Sequence, residues 1–396
     1  MLALALAASA CAQVDIIAVR DGAGTPADAA ADAAAADAAA DAAPDAGPPP
    51  AMVPCPYLQQ TVSAGTRSAT VAQLVAGGLG RAICSCTEYV GGGELLVDSF
   101  DRAEGPFVSG EAGGDVGANL ALRFDGPAQI GGSLFVAGPE GLGLAPDLEV
   151  IVGQDLEVGG PLVGAMASLQ VGGDAQVGGR LELRELVVTG VLTQPMGAAR
   201  NVTAGDDGIG ELRTAEVVVE APCACGANDL LDVVMLVNEA VPDATSLPVV
   251  PPPVIGSRCE QYELTDIAVD TLQIMVLESA ALLVPGDLQI GGDLTIDTVD
   301  GAELDLFIGG NVNVEGRLEL GTASGQGPVR IHVGGAGTIN LRAGGEMQGA
   351  LYAPLAELVL GGPLTLSGAL IVERVAATSA ALTVHYDRSL GRAPEP

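Results

Sequence analysis

Short runs in which apolar and polar residues alternate, each broken by a glycine pair, recur through two long stretches of the chain. The later stretch, Leu288 to Asp387, holds "LQIGGDLTID", "LDLFIGGNVNVEGRLEL", "VRIHVGGAGTINL", "MQGALYAPLAELVL" and "GGPLTLSGALIVERV", and closes on "LTVHYDRSL". The period of two is that of a strand: Leu304, Leu306 and Ile308 share one face, Asp305 and Phe307 the other. The earlier stretch, from about Asp98 to Glu220, reads "AQIGGSLFVAG", "LEVIVGQDLEVGG", "LQVGGDAQVGGRLEL", "LVVTGVL" and "TAEVVVE". Glycine pairs at 131–132, 159–160, 172–173, 291–292, 309–310, 334–335 and 361–362 are spaced 13 to 28 residues apart within each array. That spacing brackets one turn of a parallel β-helix, in which a coil cannot bury its apolar face alone and needs neighbours above and below. The fold class expected is all-β: a right-handed parallel β-helix, with a first part over 98–220 and a second over 263–390. A β-sandwich would show hairpin turns throughout. "DG" occurs only at Asp21, Asp125, Asp207 and Asp300, too sparsely for that.

Between the arrays, 221–262 reads as an insertion. "NDLLDVVMLVNEAV" predicts a short helix over Asn228–Val241, with Asp229 as N-cap and Pro242 beyond its end. "PDATSLPVVPPPVIGSRC" then predicts an irregular crossing. The insertion carries Cys223, Cys225 and Cys259, and the segment 51–97 carries Cys55, Cys84 and Cys86. With Cys11 set aside, these six cysteines, an even number, imply disulfides in an exported chain. In an extended C-x-C pair both thiols point to one side, so each needs a partner elsewhere. Cys55 lies 29 residues before Cys84 and Cys259 lies 34 after Cys225. This rough mirror suggests one bridge inside each segment and one between the two pairs, among the 15 connectivities open to six cysteines. Four thiols from two such pairs could also hold Zn²⁺, although zinc sites usually place two to four residues between the two cysteines.

Met1 to Ala10 is apolar, and "LAASAC" resembles a bacterial lipoprotein signal, with Cys11 the lipidated residue; an ordinary cleaved signal is the alternative. The segment 12–50, rich in Ala, Asp and Pro, has no apolar face to bury and reads as a solvated tether; 391–396 is a short tail.

Composition narrows the function classes. The formal charge is −34 and all 16 basic residues are arginine, so a nucleic-acid partner is not expected. No phosphate-binding or dinucleotide fingerprint occurs and no cofactor is expected. The two histidines are His332, in mid-strand, and His385, in "HYD". His385 and Asp387 fall on one side of a strand and Tyr386 on the other, so these three residues are expected to close the last coil rather than to catalyse. Asp287, Asp293, Asp297, Asp300 and Asp305 are dense enough to weigh as the acidic group of a polysaccharide-active enzyme. The absence of Lys removes the partner that such chemistry on a uronate needs.

"AELDLFIGGNV" (302–312), "VRIHVGG" (329–335), "GALYAPLAEL" (349–358), "LSGALIVERV" (366–375) and "VHYDRSL" (384–390) together resemble an uncharacterised β-helical domain of exported bacterial proteins, among them PilX-like pilus-associated proteins and Gram-negative lipoproteins. "VDSFDRAEGPF" (97–107) and "CACGANDLLDV" (223–233) extend the resemblance upstream. The glycine-paired coils are also similar to bactofilins. The chain departs from the pilus-associated members in having no long apolar pilin helix at its N-terminus. The function expected is that of a non-enzymatic cell-envelope surface lipoprotein with a structural or adhesive role, held to the membrane through its lipid and meeting an envelope glycan or a surface protein. A glycan- or cation-binding module is the alternative, and a polysaccharide-active enzyme a more distant one.

Overall fold

The computed structural model describes residues 55–64, 67–102, 112–204, 208–265, 267–321, 327–377 and 379–390. The expected signal with Cys11, the tether over 12–50 and the tail lie outside them. The described chain is a parallel β-helix of about 13 turns, and one antiparallel hairpin, Thr61–Ala64 with Arg67–Thr70, stands apart from it. The helical elements among the described residues include α1 (Pro56–Gln59), α2 (Val71–Gly78), α3 (Val233–Ala240) and the 3₁₀ turn at Val241–Asp243.

The core follows one register. In one column of paired strands the inward residues run Tyr262, Leu282, Leu306, Ile331, Leu351, Leu370, then Ile83, Val116, Leu134, Leu156, Ala175 and Leu192. All are buried. Each large aliphatic side chain in such a stack contributes roughly 1.5–3 kcal/mol through burial.

That column also reveals the chain path, which differs from the expected one. The chain enters the solenoid in its middle. It coils outward from Ile83–Ser85 to Ile209–Thr214, crosses back along the side through 215–243, and starts the second array at Thr245–Ser246. That array coils toward the first and docks on it. Leu370–Val372 pairs with Ile83–Ser85, Val375–Ala377 with Tyr89–Gly91, and Leu382–Asp387 with Leu95–Phe100. The two arrays therefore join by pairing strands within 370–387 with strands within 83–100, not through 221–262.

Several boundaries move with this. The first coil begins at Ile83 rather than near Asp98. "TAEVVVE" is not a strand beyond Thr214, because the coil beneath it stops pairing at Gln194, and 215–220 is largely exposed. The helix starts later than expected. Asp232, not Asp229, caps α3 by accepting a hydrogen bond from Met235 N at 2.9 Å, while the Leu231 N–H, one residue before that cap, is held by the Tyr352 hydroxyl at 2.8 Å.

Many of the Gly-Gly-Asp motifs turn out to be corner devices. Asp115 Oδ1 accepts from Ser133 N, Ser133 Oγ from Asp155 N, Asp155 Oδ1 from Asp174 N, and Asp174 Oδ1 from Val191 N, over 2.8–3.2 Å. Asp287 does the same for Asn311 N, and Asp293 for Arg317 N. Each short polar side chain satisfies a corner N–H of the coil stacked on it. Glycine is needed at the next corner: a Cβ on Gly173 or Gly310 would collide with the capping carboxylate of Asp155 or Asp287. Asp174→Ala is expected to cost about 0.5–1.5 kcal/mol in urea unfolding. An unchanged midpoint would remove the structural role assigned to this ladder.

Candidate functional site

Two outer faces of the solenoid carry polar chemistry, one covered and one open.

On the covered face the outward column reads Leu283, Phe307, His332, Tyr352, Ile371 and Cys84, and all are buried. An apolar row pointing away from a solenoid core needs a cover, and two segments supply it. α3 lies against Ala280–Val284 and Leu304–Ile308, while α1 and α2 bring Tyr57 edge-on to Phe307 and Gly78 against Tyr352 and Ile371. Beneath the cover sits an ionic cluster. Asp305 is fully buried and receives Arg330 Nε at 2.7 Å, Arg330 Nη2 at 2.9 Å and the Tyr57 hydroxyl at 3.0 Å, with His332 Nε2 at 3.1 Å. Arg330 also reaches Glu303 at 2.8 Å, and His332 stacks on Phe307 with ring centroids 4.5 Å apart. Burial pushes the Asp305 carboxyl up, but the Arg330 charge and hydrogen bonds, with the His332 contact, overcome it and hold the group well below the usual carboxylate range. Burial raises the Tyr57 hydroxyl, with the Asp305 charge adding to it, so Tyr57 stays a donor. Burial likewise pushes Tyr352 up to about 12. The cluster holds a fixed ion pair under a lid, and its chemistry is that of a structural pin.

The open face is a groove. In the adjacent column, outward residues stack coil by coil as Asp287, Asn311, Thr338, Glu357, Arg374 and Glu88, with Gln289, Asn313 and Asn340 beside them. They line two contiguous hollows that share Thr338. One of about 300 Å³ is walled by the amides, and one of about 510 Å³ is walled by Glu88, Glu140, Glu357, Glu373, Arg374 and Leu120. Arg374 Nη1 meets Glu88 at 2.9 Å and Nη2 meets Glu357 at 2.6 Å, and these hydrogen bonds, Glu357 first, raise its pKa further. Asn340 Nδ2 donates to Asn313 Oδ1 at 2.9 Å, and Asn313 Nδ2 to Glu315 Oε1 at 3.2 Å. A surface of this kind can hydrogen-bond hydroxyls and attract cationic groups.

The residues singled out from sequence fall as follows. All six cysteines after Cys11 are disulfide-bonded, so no thiolate remains for zinc. Their pairing is Cys55–Cys259, Cys84–Cys223 and Cys86–Cys225, which overturns the expected local bridges. The reason is the chain path. Cys84 and Cys86 lie along the first coil, and the returning segment 222–225 runs beside it, with Cys223 N–H and C=O bonded to the Asn119 amide. Three disulfides point to an oxidising, extracytoplasmic location.

His385, Tyr386 and Asp387 do not cap an end. Their strand pairs with Leu95–Phe100, which makes them part of the joint between the arrays. His385 Nδ1 lies 2.6 Å from Asp98 Oδ1, the Tyr386 hydroxyl donates to Leu79 O at 3.1 Å, and Asp387 accepts from Ser389 Oγ at 2.7 Å while pairing with Arg102. The acidic group considered for an enzyme is dispersed: Asp287 and Asp293 cap corners and Asp305 is sealed under Tyr57. The groove itself escaped sequence reasoning, because its residues lie on different coils and meet only once the register is known.

A family model described as Domain of unknown function (DUF7305) matches residues 265–393. The match covers the second array from residue 265 onward, including the strands that dock on the first array. No curated protein and no solved structure matches the chain.

Proposed function

We propose that the protein is a non-enzymatic element of the bacterial cell envelope, exported, anchored through a lipid on Cys11, and structural or adhesive in role. One observation carries this reading: the six cysteines after Cys11 form three long-range disulfides, which tie the first coil to the return crossing and the N-terminal segment to Cys259, in keeping with an oxidising compartment. The resemblance of 302–390 to exported pilus-associated proteins and lipoproteins supports it, and the matched domain overlaps that region. Its partners on this reading are the membrane, through the lipid, and an envelope glycan or surface protein. Cells fed an alkyne-tagged palmitate should label the protein, and Cys11→Ser should abolish the label. Labelling that persists in Cys11→Ser removes the anchor from the proposal.

A glycan- or cation-binding role is the second reading, and the open groove favours its glycan branch. Among the described residues no group of three or more His, Cys, Asp or Glu is placed to hold a metal ion, so the cation branch has no comparable support.

A further inference from the structure

Resting on the adhesive reading, we infer that the open groove binds an extended, linear polysaccharide of neutral or amino sugars, lying along the solenoid axis, and rejects uronate chains.

Geometry gives the direction. The column from Asp287 to Glu88 crosses six stacked coils, and at a strand spacing of 4.7–4.9 Å it runs for about 24 Å. Equivalent positions recur at that spacing and carry polar side chains, with amides at Gln289, Asn313 and Asn340, so the groove presents a ladder of polar groups. A linear polymer whose monomers also repeat along its length can satisfy such a set unit after unit. A compact ligand would use one coil or two.

Chemistry gives the class. Gln289, Asn313 and Asn340 each carry two N–H donors and a carbonyl, more than the bonds that join Asn340 to Asn313 and Asn313 to Glu315. Amides paired this way suit vicinal hydroxyls and acetamido groups. At the other end Leu120, 46% exposed, offers an apolar surface to sugar C–H groups.

Charge gives the selectivity. Four glutamates, Glu88, Glu140, Glu357 and Glu373, line the larger hollow against one arginine, and Arg374 is already shared by two of them. The chain as a whole carries −34. A uronate would meet repulsion with no cation left to clamp it, whereas an ammonium group finds carboxylates at the end nearest the joint.

The test uses the full mature chain and isothermal titration with hexamers of glucosamine, N-acetylglucosamine and galacturonate. Saturable binding is expected for at least one of the first two and none for galacturonate. Asn340→Ala should weaken the binding about five- to tenfold. The pair Glu88→Gln with Glu357→Gln should weaken glucosamine hexamer more than its acetylated form. Glu182→Gln, on the same sheet but beyond the groove, should change nothing, and thermal melts should show each variant folded. Absence of binding to both amino-sugar hexamers, equal binding of galacturonate, or affinities indifferent to Asn340→Ala would each overturn the inference. So would a hexa-arginine peptide bound as tightly and with the same sensitivity to the glutamine pair, since the groove would then be a general cation attractor. The lipid-labelling result is independent: failure here with labelling intact leaves the anchored reading standing.

Discussion

Asp305→Ala is expected to lower the stability of the protein by about 3–5 kcal/mol, among the larger effects available to a single side chain here. Asp305 is the shared acceptor for Arg330, Tyr57 and His332, and it has no exposed surface. Removing it leaves the Arg330 guanidinium, 16% exposed, with Glu303 alone. The loss also unpins Tyr57, so hydrogen exchange at 55–64 should accelerate more than exchange at the inward strands. Urea unfolding read by far-UV circular dichroism measures the first effect, and a double-mutant cycle with Arg330→Ala isolates the pair. A loss under about 1 kcal/mol would mean that the cluster does not pin the cover.

The pH dependence of this contribution has a definite sign. The folded pKa of Asp305 is depressed, so its stabilisation is fully present above the unfolded carboxylate value near 3.9 and is lost only as pH falls from there toward the folded pKa. The gap between wild type and Asp305→Ala should therefore stay flat from about pH 5 to pH 8 and shrink only in acid.

Much of the fold is legible in the alternation of Leu304 to Ile308 and in the glycine pairs, because strand period and corner geometry are local properties. The order of coils is not local. Each coil offers the same inward row of Leu, Val and Ile, so Leu370 could stack on many neighbours; its meeting with Ile83 is fixed by the return crossing and the disulfides. One signal for the covered face was visible. Leu283, Phe307, Tyr352 and Ile371 are large apolar residues at outward positions, where Glu157, Gln176 and Thr193 stand on the uncovered coils of the same column. The acidity of the chain reads as a solvated surface in composition, yet Asp115, Asp155, Asp174, Asp287 and Asp293 bind corner amides. The groove was hidden for the same reason as the coil order: Asp287 and Glu88 lie far apart in sequence and come together only through the joint.

That joint yields the second large effect. All three disulfides link a cysteine before the exposed segment 215–220 to one after it. A protease site inserted there should give, after cleavage, a single covalent species on a non-reducing denaturing gel and two fragments after reduction. Under native conditions the reduced, nicked protein should still elute as a one-to-one complex. The joint buries Ile83, Tyr89, Leu95 and Val97 against Leu370, Val375, Leu382 and Val384, each contributing roughly 1.5–3 kcal/mol. Stability should nevertheless fall. Cys84–Cys223 and Cys86–Cys225 close nearly the same loop of 139 residues and act as one constraint, and Cys55–Cys259 closes a second of 204. Two such constraints are worth about 4–8 kcal/mol together, so replacing Cys55, Cys84 and Cys86 by Ser should lower the unfolding free energy of the intact chain by that amount. Separation of the nicked halves on reduction alone would show that the arrays are held by sulfur and not by strand pairing. Separation without reduction would overturn the cross-linking itself.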